Sequence, residues 1–300
     1  MGFLFSDLHL MLPLFRADPS GNKKKRLLTL GVQDCWFTYP EVTSFLSRHG
    51  FRYDPIPDSE IELTDGFKWA EPGERQRYLN YIHQNTLFRL LGFDPQRVDS
   101  LDVYDGEGAT IIHDLNRPIG EGLADRYDFI LDGGTLEHVF SMSDAISNII
   151  AMCKVGGRII HLSPVDNLNH GFYNFNPTFF MDVYAANGFE KISLDYFARV
   201  ARHDTARVDH YFIMNPATTT LLSPSHMTCL FGVFEKAQSQ PFVVPQQGYC
   251  RRMWQEKAEP EPEPRSTLRR KLIDAIDKNI LLSVLARRLQ TITRARRVDL

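Results

Sequence analysis

The sequence predicts an α/β fold built on a mostly parallel sheet, and residues 127–162 are the stretch that predicts it most directly. An apolar run over 127–131 ends at a polar turn that begins with Asp132. Apolar side chains then recur at helical spacings of three and four: Leu136, Val139, Ala145, Ile146, Ile149, Ile150 and Met152. Gly156-Gly157 is expected to end this helix, and a second apolar run covers 159–162. Strand, turn, helix and strand make one βαβ unit, which closes right-handed onto a parallel sheet.

Length and composition limit the classes of protein that this chain can form. The 300 residues are 43% hydrophobic and 12% aromatic, which suits one large domain or one domain with appendages and excludes a disordered chain. The net charge of −3 divides unevenly. From Arg265 onward there are ten Lys and Arg against three Asp and Glu, whereas the remainder has 24 basic and 34 acidic residues. An acidic body argues against non-specific binding of nucleic acid, so no nucleic-acid partner is expected.

The cysteines and the hydropathy pattern predict a cytoplasmic protein with reduced thiols. Cys35, Cys153, Cys229 and Cys250 are scattered without the paired spacing of a zinc site, so no metal is predicted. No apolar run reaches about 18 residues, the length that a membrane-spanning helix needs. The apolar N-terminus is broken by Asp7 and His9 and has no basic region ahead of it, so a secretory signal is not expected.

The first half of the chain supplies the strands that should form the centre of the sheet. Residues 1–22 are interpreted as a lead-in segment, because proline and glycine interrupt it. The remaining elements, in order, are a first strand over 27–31, a helix from Thr38 to about Arg48, an irregular insertion over 52–72, a helix over 74–91, a second strand from Val98 that ends by Asp105, and a third strand over 109–116. Thr38 and Glu41 have the spacing of a capping box. The insertion is either a lid over a substrate or a plain surface loop.

The second half is expected to complete the sheet and to add a tail. After the βαβ unit come a loop over 167–176, a helix over 178–186, strands over 192–196, 211–214 and 228–234, a Pro/Glu-rich linker over 236–265 and a basic amphipathic helix within 266–300, strongest over 267–294. The last two strands are predicted to pair as an antiparallel edge hairpin, with 199–210 as a polar loop. The tail helix either docks on the domain or on a second copy, or lies on an anionic membrane surface, which would make the protein peripheral to the membrane.

Two motifs carry a resemblance to a known family. The run Asp-Gly-Gly-Thr-Leu-Glu-His-Val at 132–139, followed by a helix and Lys-Val-Gly-Gly-Arg at 154–158, resembles the region between the fourth and fifth strands of class I methyltransferases that use S-adenosylmethionine (SAM). Within that superfamily it is similar to small-molecule enzymes of bacterial glycan and secondary metabolism. The resemblance covers 26–235. It implies a Rossmann-like, doubly wound sheet of seven strands with an antiparallel edge hairpin, and SAM as cofactor.

The same resemblance implies a set of cofactor-binding residues. Asp102 after the second strand matches the acid that binds the ribose hydroxyls, with Asp105 as its nearby competitor. Asp114 and Leu115 after the third strand match the pair that meets the adenine. Asp132 and Gly133 form the turn after the fourth strand, near the cofactor.

The loop after the first strand departs from the family pattern. It has Gly31 where the family has a glycine-rich run, and Thr29 where an acidic residue is common. Glycine at such a loop lets the backbone approach the cofactor closely. Gln33 or Asp34 is the candidate to bind the methionyl amino group in place of the missing acid. A loop filled by its large side chains, which would bind SAM weakly or not at all, is the alternative.

The acceptor side has two candidate catalytic bases. The loop over 167–176 holds four Asn, three aromatic residues and His170, a composition that suits a substrate-specifying loop or an aromatic loop packed on the sheet. His138, beside the Asp132 turn, is the other candidate, because histidine titrates near neutral pH. Alternatively, His138 orients that turn together with Glu137.

Two functions are therefore expected as alternatives. The first is SAM-dependent methyl transfer to a hydroxyl or amine of a small molecule or a glycan-linked acceptor. The second is a methyltransferase-like fold that has lost its cofactor and serves as a binding or scaffolding subunit. The filled loop after the first strand favours the second, and the three strand-end acids favour the first.

Overall fold

The computed structural model describes residues 2–16, 19–67, 71–167, 169–202, 205–214, 227–248 and 296–299. The strands are β1 (Gly2–Phe3), β2 (Leu27–Leu30), β3 (Asp34–Cys35), β4 (Val98–Asp102), β5 (Ile111–Ile112), β6 (Tyr127–Asp132), β7 (Cys153–Pro164), β8 (Phe189–Arg202), β9 (Thr205–Met214), β10 (Met227–Lys236) and β11 (Arg296–Asp299). The α-helices are α1 (Phe5–Arg16), α2 (Pro19–Asn22), α3 (Tyr39–Arg48), α4 (Gln84–Leu90), α5 (Met142–Met152) and α6 (Pro177–Ala186).

The main sheet confirms the predicted Rossmann-like, doubly wound fold. Its order is β11-β9-β8-β10-β7-β6-β2-β4-β5. Five neighbouring strands of this sheet are parallel to one another: β7, β6, β2, β4 and β5. Strand β10 lies between β7 and β8 and is antiparallel to both. The chain moves outward from β2 through β4 to β5 and then returns to the other side of β2 as β6. The strand order therefore reverses between β2 and β6, and ligands of open α/β sheets bind beyond the carboxyl ends of strands at such a point.

The predicted antiparallel hairpin is present near one edge of the sheet, but it is formed by β8 and β9 and not by the two strands predicted to pair. Residues 211–214 and 228–234 do not pair with each other, because β10 inserts between β7 and β8 while β9 pairs with β8. Residues 199–210, predicted as a polar loop, belong largely to β8 and β9. Their charged composition suggested a loop, but strands near the edge of a sheet also carry many charged residues.

The core has two halves, one on each face of the sheet, as a doubly wound fold requires. On one face, buried residues from α1, α3 and α4, among them Phe15, Phe45 and Leu87, pack against strand residues such as Leu131. On the other face, α5 and α6 contribute Ile146, Ile149, Phe180 and Tyr184. Strand β6 supplies residues to both halves, which explains its nearly continuous apolar sequence.

Helices α3, α5 and α6 form where they are predicted, but α5 is shorter than predicted and the helix predicted over 74–91 is broken. The carboxylate of Glu41 accepts hydrogen bonds from the backbone N–H and the hydroxyl of Thr38, as the capping-box spacing predicts. The helix predicted over 74–91 is instead a 3₁₀ turn, Arg75–Tyr78, followed after a break by α4. Helix α5 ends at Met152, before Gly156-Gly157, which lie within β7.

The ends of the chain pack differently from a simple lead-in and tail. Within residues 1–22, predicted as a lead-in, α1 covers Phe5–Arg16 and buries four apolar side chains in the core, those of Leu8, Met11, Leu12 and Phe15. After β10, the backbone at Val243 exchanges hydrogen bonds with the side chain of Asn187 at the end of α6. The amphipathic helix predicted over 267–294 lies outside the described residues, as does Cys250. Arg296–Asp299 forms β11, so the chain is not helical to its end.

None of the helices that the structure describes is both long enough and apolar enough to cross a bilayer.

Candidate active site

A cleft of about 560 Å³ opens at the carboxyl ends of β2, β4 and β5 and beside the turn after β6. Six residues predicted from the sequence line it: Gly31, Gln33, Asp102, Asp114, Leu115 and His138. The cleft lies at the reversal of strand order described above. It is therefore the leading candidate for a ligand-binding site.

Two carboxylates enter the cleft from neighbouring strands. Asp102 ends β4, and its Oδ1 accepts a hydrogen bond of 3.2 Å from the backbone N–H of Tyr104. Asp114 follows β5, and its Oδ1 accepts bonds from the backbone N–H and the side-chain amide of Asn116 at 2.9 and 2.7 Å. The Asn116 backbone bond and then its side-chain bond lower the pKa of Asp114, so this group is ionised at neutral pH. Both acids are thus held in fixed orientations as hydrogen-bond acceptors.

Gly31 allows the loop after β2 to pass close to Asp102. Its φ of +74° lies in the left-handed region that favours glycine. Its N–H donates to the Leu101 carbonyl at 2.7 Å, which ties the end of β2 to β4. A β-carbon on Gly31 would lie 3.7 Å from Asp102 Oδ2 and 3.1 Å from the Thr135 hydroxyl. The backbone here therefore borders the carboxylate directly.

Gln33 and Asp34, the two candidates for the methionyl amino group, are placed differently. The Gln33 side chain is buried at the cleft wall, where its Nε2 donates to the Leu30 carbonyl at 2.6 Å. Its Oε1 is buried and accepts no hydrogen bond from the described residues. Asp34 does not line the cleft but a neighbouring cavity of about 40 Å³. Trp36 does not line the cleft either and packs against Phe67, with ring centroids 4.8 Å apart.

Asp132 and Gly133 lie beneath the cleft and do not line it. Asp132 is fully buried, and its Oδ1 accepts hydrogen bonds from the backbone N–H groups of Thr135 and Leu136 at 2.9 and 3.3 Å. Its Oδ2 lies 2.9 Å from His161 Nδ1. Asp132 therefore organises the turn, and Gly134 is the glycine of the pair that reaches the cleft.

A second group of polar residues adjoins the cleft at His138. The rings of His138 and His170 contact each other edge-on, with centroids 4.8 Å apart. Glu137 Oε1 lies 3.6 Å from His170 Nε2. One potential ligand atom from each of Glu137, His138 and His170 lies within 4.8 Å of the others. The predicted bases are thus brought together, with Glu137 as a third member.

Glu137 is the unusual member of this group. Its side chain is fully buried, and neither carboxylate oxygen has a hydrogen-bond partner among the described residues. Burial, and then the charge of Asp132, raise its pKa to about 8. Burial lowers the pKa of His138, with a further contribution from His170, and burial also lowers the pKa of His170. Both imidazoles are therefore neutral near pH 7.

The sequence does not predict this three-residue group. Its pattern suggests Glu137 only as a partner of His138, and no spacing typical of metal ligands joins these residues. The fold joins them because the backbone carbonyl of Glu137 accepts hydrogen bonds from Phe172 and Tyr173 at 2.7 and 3.3 Å, which holds the 169–173 loop against the turn. An adjacent Glu-His pair and a loop histidine were the only signals in the sequence.

Comparison with known sequences finds no matching protein-family model and no matching curated protein. Solved structures with similar architecture exist. One is 1,6-didemethyltoxoflavin-N1-methyltransferase from Burkholderia thailandensis with 1,6-didemethyltoxoflavin and S-adenosylhomocysteine bound: 15% identity, 78% of this chain and 82% of that chain covered, TM-score 0.32. Another is a possible histamine N-methyltransferase from Thermotoga maritima: 14% identity, 78% and 94% covered, TM-score 0.31.

A third similar structure is a variant of the 16S rRNA (adenine(1408)-N(1))-methyltransferase from Catenulisporales acidiphilia: 12% identity, 76% of this chain and 94% of that chain covered, TM-score 0.33. These identities and scores are too low to carry an argument about function. The fold assignment rests on the strand order of the sheet, and the function must be argued from the cleft.

Proposed function

We propose that this protein transfers a methyl group from SAM to a hydroxyl or amine of a small molecule or a glycan-linked acceptor. The observation that carries the proposal is that Asp102 and Asp114, from the ends of neighbouring parallel strands, line one cleft together with Gly31. Single acids at strand ends are common as turn residues. Two of them on one cleft, at the reversal of strand order, match the needs of an adenosine.

Each cleft residue has a role that its chemistry supports. Asp102 would accept hydrogen bonds from the ribose hydroxyls, and Asp114, ionised and oriented by Asn116, would accept one from the adenine amino group. Leu115 is buried at the cleft wall and offers an apolar surface to the adenine ring. Gly31 leaves room for the ligand next to Asp102.

Gln33 is the better candidate for the methionyl amino group. Its buried Oε1 has no hydrogen-bond partner among the described residues, and an ammonium group would supply one. Asp34 borders the smaller neighbouring cavity, which makes it a poorer candidate. The Gln33 side chain also favours the alternative function, a scaffold protein without cofactor. It turns inward and fills space under the loop after β2, which would leave less room for SAM.

His138 is the proposed general base. Bound SAM supplies a methyl group on a sulfonium sulfur, and transfer to an acceptor oxygen releases the acceptor's proton. Neutral His138 lies on the cleft wall, where one of its ring nitrogens would take that proton. His170 contacts the His138 ring on the side of the 169–173 loop and would position it. Small-molecule acceptors, a cytoplasmic location and contacts made by the tail remain predictions from the sequence.

Calorimetric titration of the full chain with SAM and with S-adenosylhomocysteine tests the proposal. We expect the Asp102→Ala variant to lose about 10- to 100-fold in affinity, because charged hydrogen bonds contribute about 1.5–3 kcal/mol. Asp105→Ala is the matched control, since Asp105 is an exposed acid close by that does not line the cleft. The absence of heat with both ligands would reject the transferase and leave the scaffold function.

A further inference from the structure

The group formed by Glu137, His138 and His170 has the composition of a metal site. Two imidazoles and one carboxylate make the ligand set of catalytic zinc sites and of the facial triads that bind ferrous iron. The three ligand atoms lie within 4.8 Å of one another, so small side-chain rotations would bring them around one ion. Glu137 and His138 come from the 3₁₀ turn Leu136–His138, and His170 comes from the loop after β7.

The buried carboxylate is the independent observation that points to a cation. Glu137 is fully buried, and within the described part of the chain neither of its oxygens accepts a hydrogen bond. His170 Nε2 is also buried and without a hydrogen-bond partner there. Buried polar groups are almost always hydrogen-bonded, and a buried carboxylate without a partner is costly. A bound cation would satisfy Glu137 and His170 together.

We infer that Glu137, His138 and His170 bind one divalent transition-metal ion at the wall of the cleft. Imidazole ligands favour zinc, iron and similar ions over magnesium or calcium, which prefer oxygen ligands. Three protein ligands leave coordination positions open. Because His138 also lines the cleft, an open position would face the region where an acceptor binds.

Backbone contacts hold the loop that carries His170 in place, as a metal-binding side chain requires. Phe172 and Tyr173 donate their backbone N–H groups to the Glu137 carbonyl. A β-carbon on Gly171 would lie 2.7 Å from that same carbonyl oxygen, so the loop approaches the turn as closely as a glycine permits. His170 is therefore held over Glu137 by backbone contacts and not only by its own side chain.

Only the role of the metal rests on the proposed function. In methyl transfer, an ion in contact with an acceptor hydroxyl would act as a Lewis acid and ease the loss of its proton to solvent water in the open cleft. His138 would then serve as a ligand and not as the base. Binding of the ion itself requires neither SAM nor an acceptor.

Zinc binding to the chelator-treated full chain, measured by competition with a chromophoric chelator, tests the inference. We expect one Zn²⁺ per chain and affinity at least about 100-fold weaker in Glu137→Gln and in His170→Gln, since even second-shell changes cost 10- to 100-fold. Glu121→Gln, an exposed carboxylate, and His113→Gln, a histidine of the same cleft outside the group, are the matched controls. Cobalt in place of zinc should give visible absorption bands that both cluster variants lose.

The outcomes separate this inference from the proposed function. Glu137→Gln keeps the size and shape of the side chain and adds no charge, so this variant should remain folded, which circular dichroism would verify. Absence of saturable zinc binding, or equal binding by wild type and Glu137→Gln, overturns the metal site. Zinc binding without any SAM binding would reject the transferase and keep the metal site. SAM binding without zinc binding would keep the transferase and reject the metal site.

Discussion

At the scale of single residues, Gln33 and Gly133 determine how the loop after β2 meets the turn after β6. The Gln33 side chain turns inward, with its Nε2 on the Leu30 carbonyl and its Oε1 against Gly133. A β-carbon on Gly133 would lie 2.1 Å from Gln33 Oε1, a distance that no real contact reaches. Position 133 therefore requires glycine, because the Gln33 side chain occupies the space that a β-carbon would need.

This contact predicts a double-mutant interaction. Gly133→Ala should lower the free energy of unfolding by about 1–3 kcal/mol, the usual cost of overpacking. In a Gln33→Ala background the same change should cost much less, because the crossing side chain is gone. Urea denaturation of the two single variants and the double variant measures the coupling. If the free-energy losses of the two single variants simply add in the double variant, the Gln33 side chain does not lie against Gly133.

Single-residue features were predictable where the sheet itself brings them together. Asp102 and Asp114 follow successive strands, and parallel strands place their carboxyl ends on one edge, so their meeting in one cleft follows from the sequence order. The meeting of Glu137 and His170 depends on how one loop docks on one carbonyl. No periodicity or spacing in the sequence encodes that contact.

At the scale of elements, a buried chain of hydrogen bonds joins β6, β7 and α6. Asp132 Oδ2 lies 2.9 Å from His161 Nδ1, and His161 Nε2 lies 2.6 Å from the Tyr184 hydroxyl. A carboxylate oxygen accepts hydrogen bonds, so Nδ1 donates to Asp132 and Nε2 is left to accept from the Tyr184 hydroxyl. All three side chains are buried, so each bond forms away from water. The network positions the carboxylate that shapes the turn beside the cleft.

Tyr184→Phe should therefore destabilise the fold by about 1–3 kcal/mol, because it leaves the His161 Nε2 lone pair buried and unpaired. Tyr173→Phe is the matched control. It removes a hydroxyl that donates to the Phe140 carbonyl at an exposed position, and we expect less than about 1 kcal/mol. Thermal unfolding of wild type and of both variants measures how much each substitution destabilises the fold. Equal shifts would mean that the buried network contributes no more than a surface bond.

The elements that the sequence predicts best are those with strong periodicity. Helices α3, α5 and α6 and the strands of the βαβ unit fall close to their predicted places. The prediction fails over 74–91, where apolar residues suit a helix but the chain turns between Tyr78 and Gln84 to pair with the 52–72 insertion. It also fails over 199–210, where the charged residues favour a loop but the chain forms parts of β8 and β9. In both places tertiary pairing overrides the local pattern.

At the scale of the whole molecule, the N-terminal segment completes one half of the core. Asp7 and His9 interrupt its apolar pattern, so the sequence does not predict a helix there. The structure shows why an acidic residue stands within this apolar segment. Asp7 is buried, and its Oδ2 accepts a hydrogen bond of 2.9 Å from the Leu4 N–H just before α1. An acid in the first turn of a helix is stabilising, so Asp7 marks the beginning of α1.

Phe15 shows how strongly α1 belongs to the domain. It is fully buried, and its ring contacts Phe93 and Phe129 at centroid distances of 5.5 and 5.4 Å, so it joins α1 to the sheet. Phe15→Ala should lower the free energy of unfolding by about 3–5 kcal/mol, as for other fully buried phenylalanines. Leu14→Ala, at a neighbouring and partly exposed position, should cost clearly less. Denaturant titration measures both variants, and a cost at Phe15 no greater than at Leu14 would mean that α1 is an appendage and not part of the core.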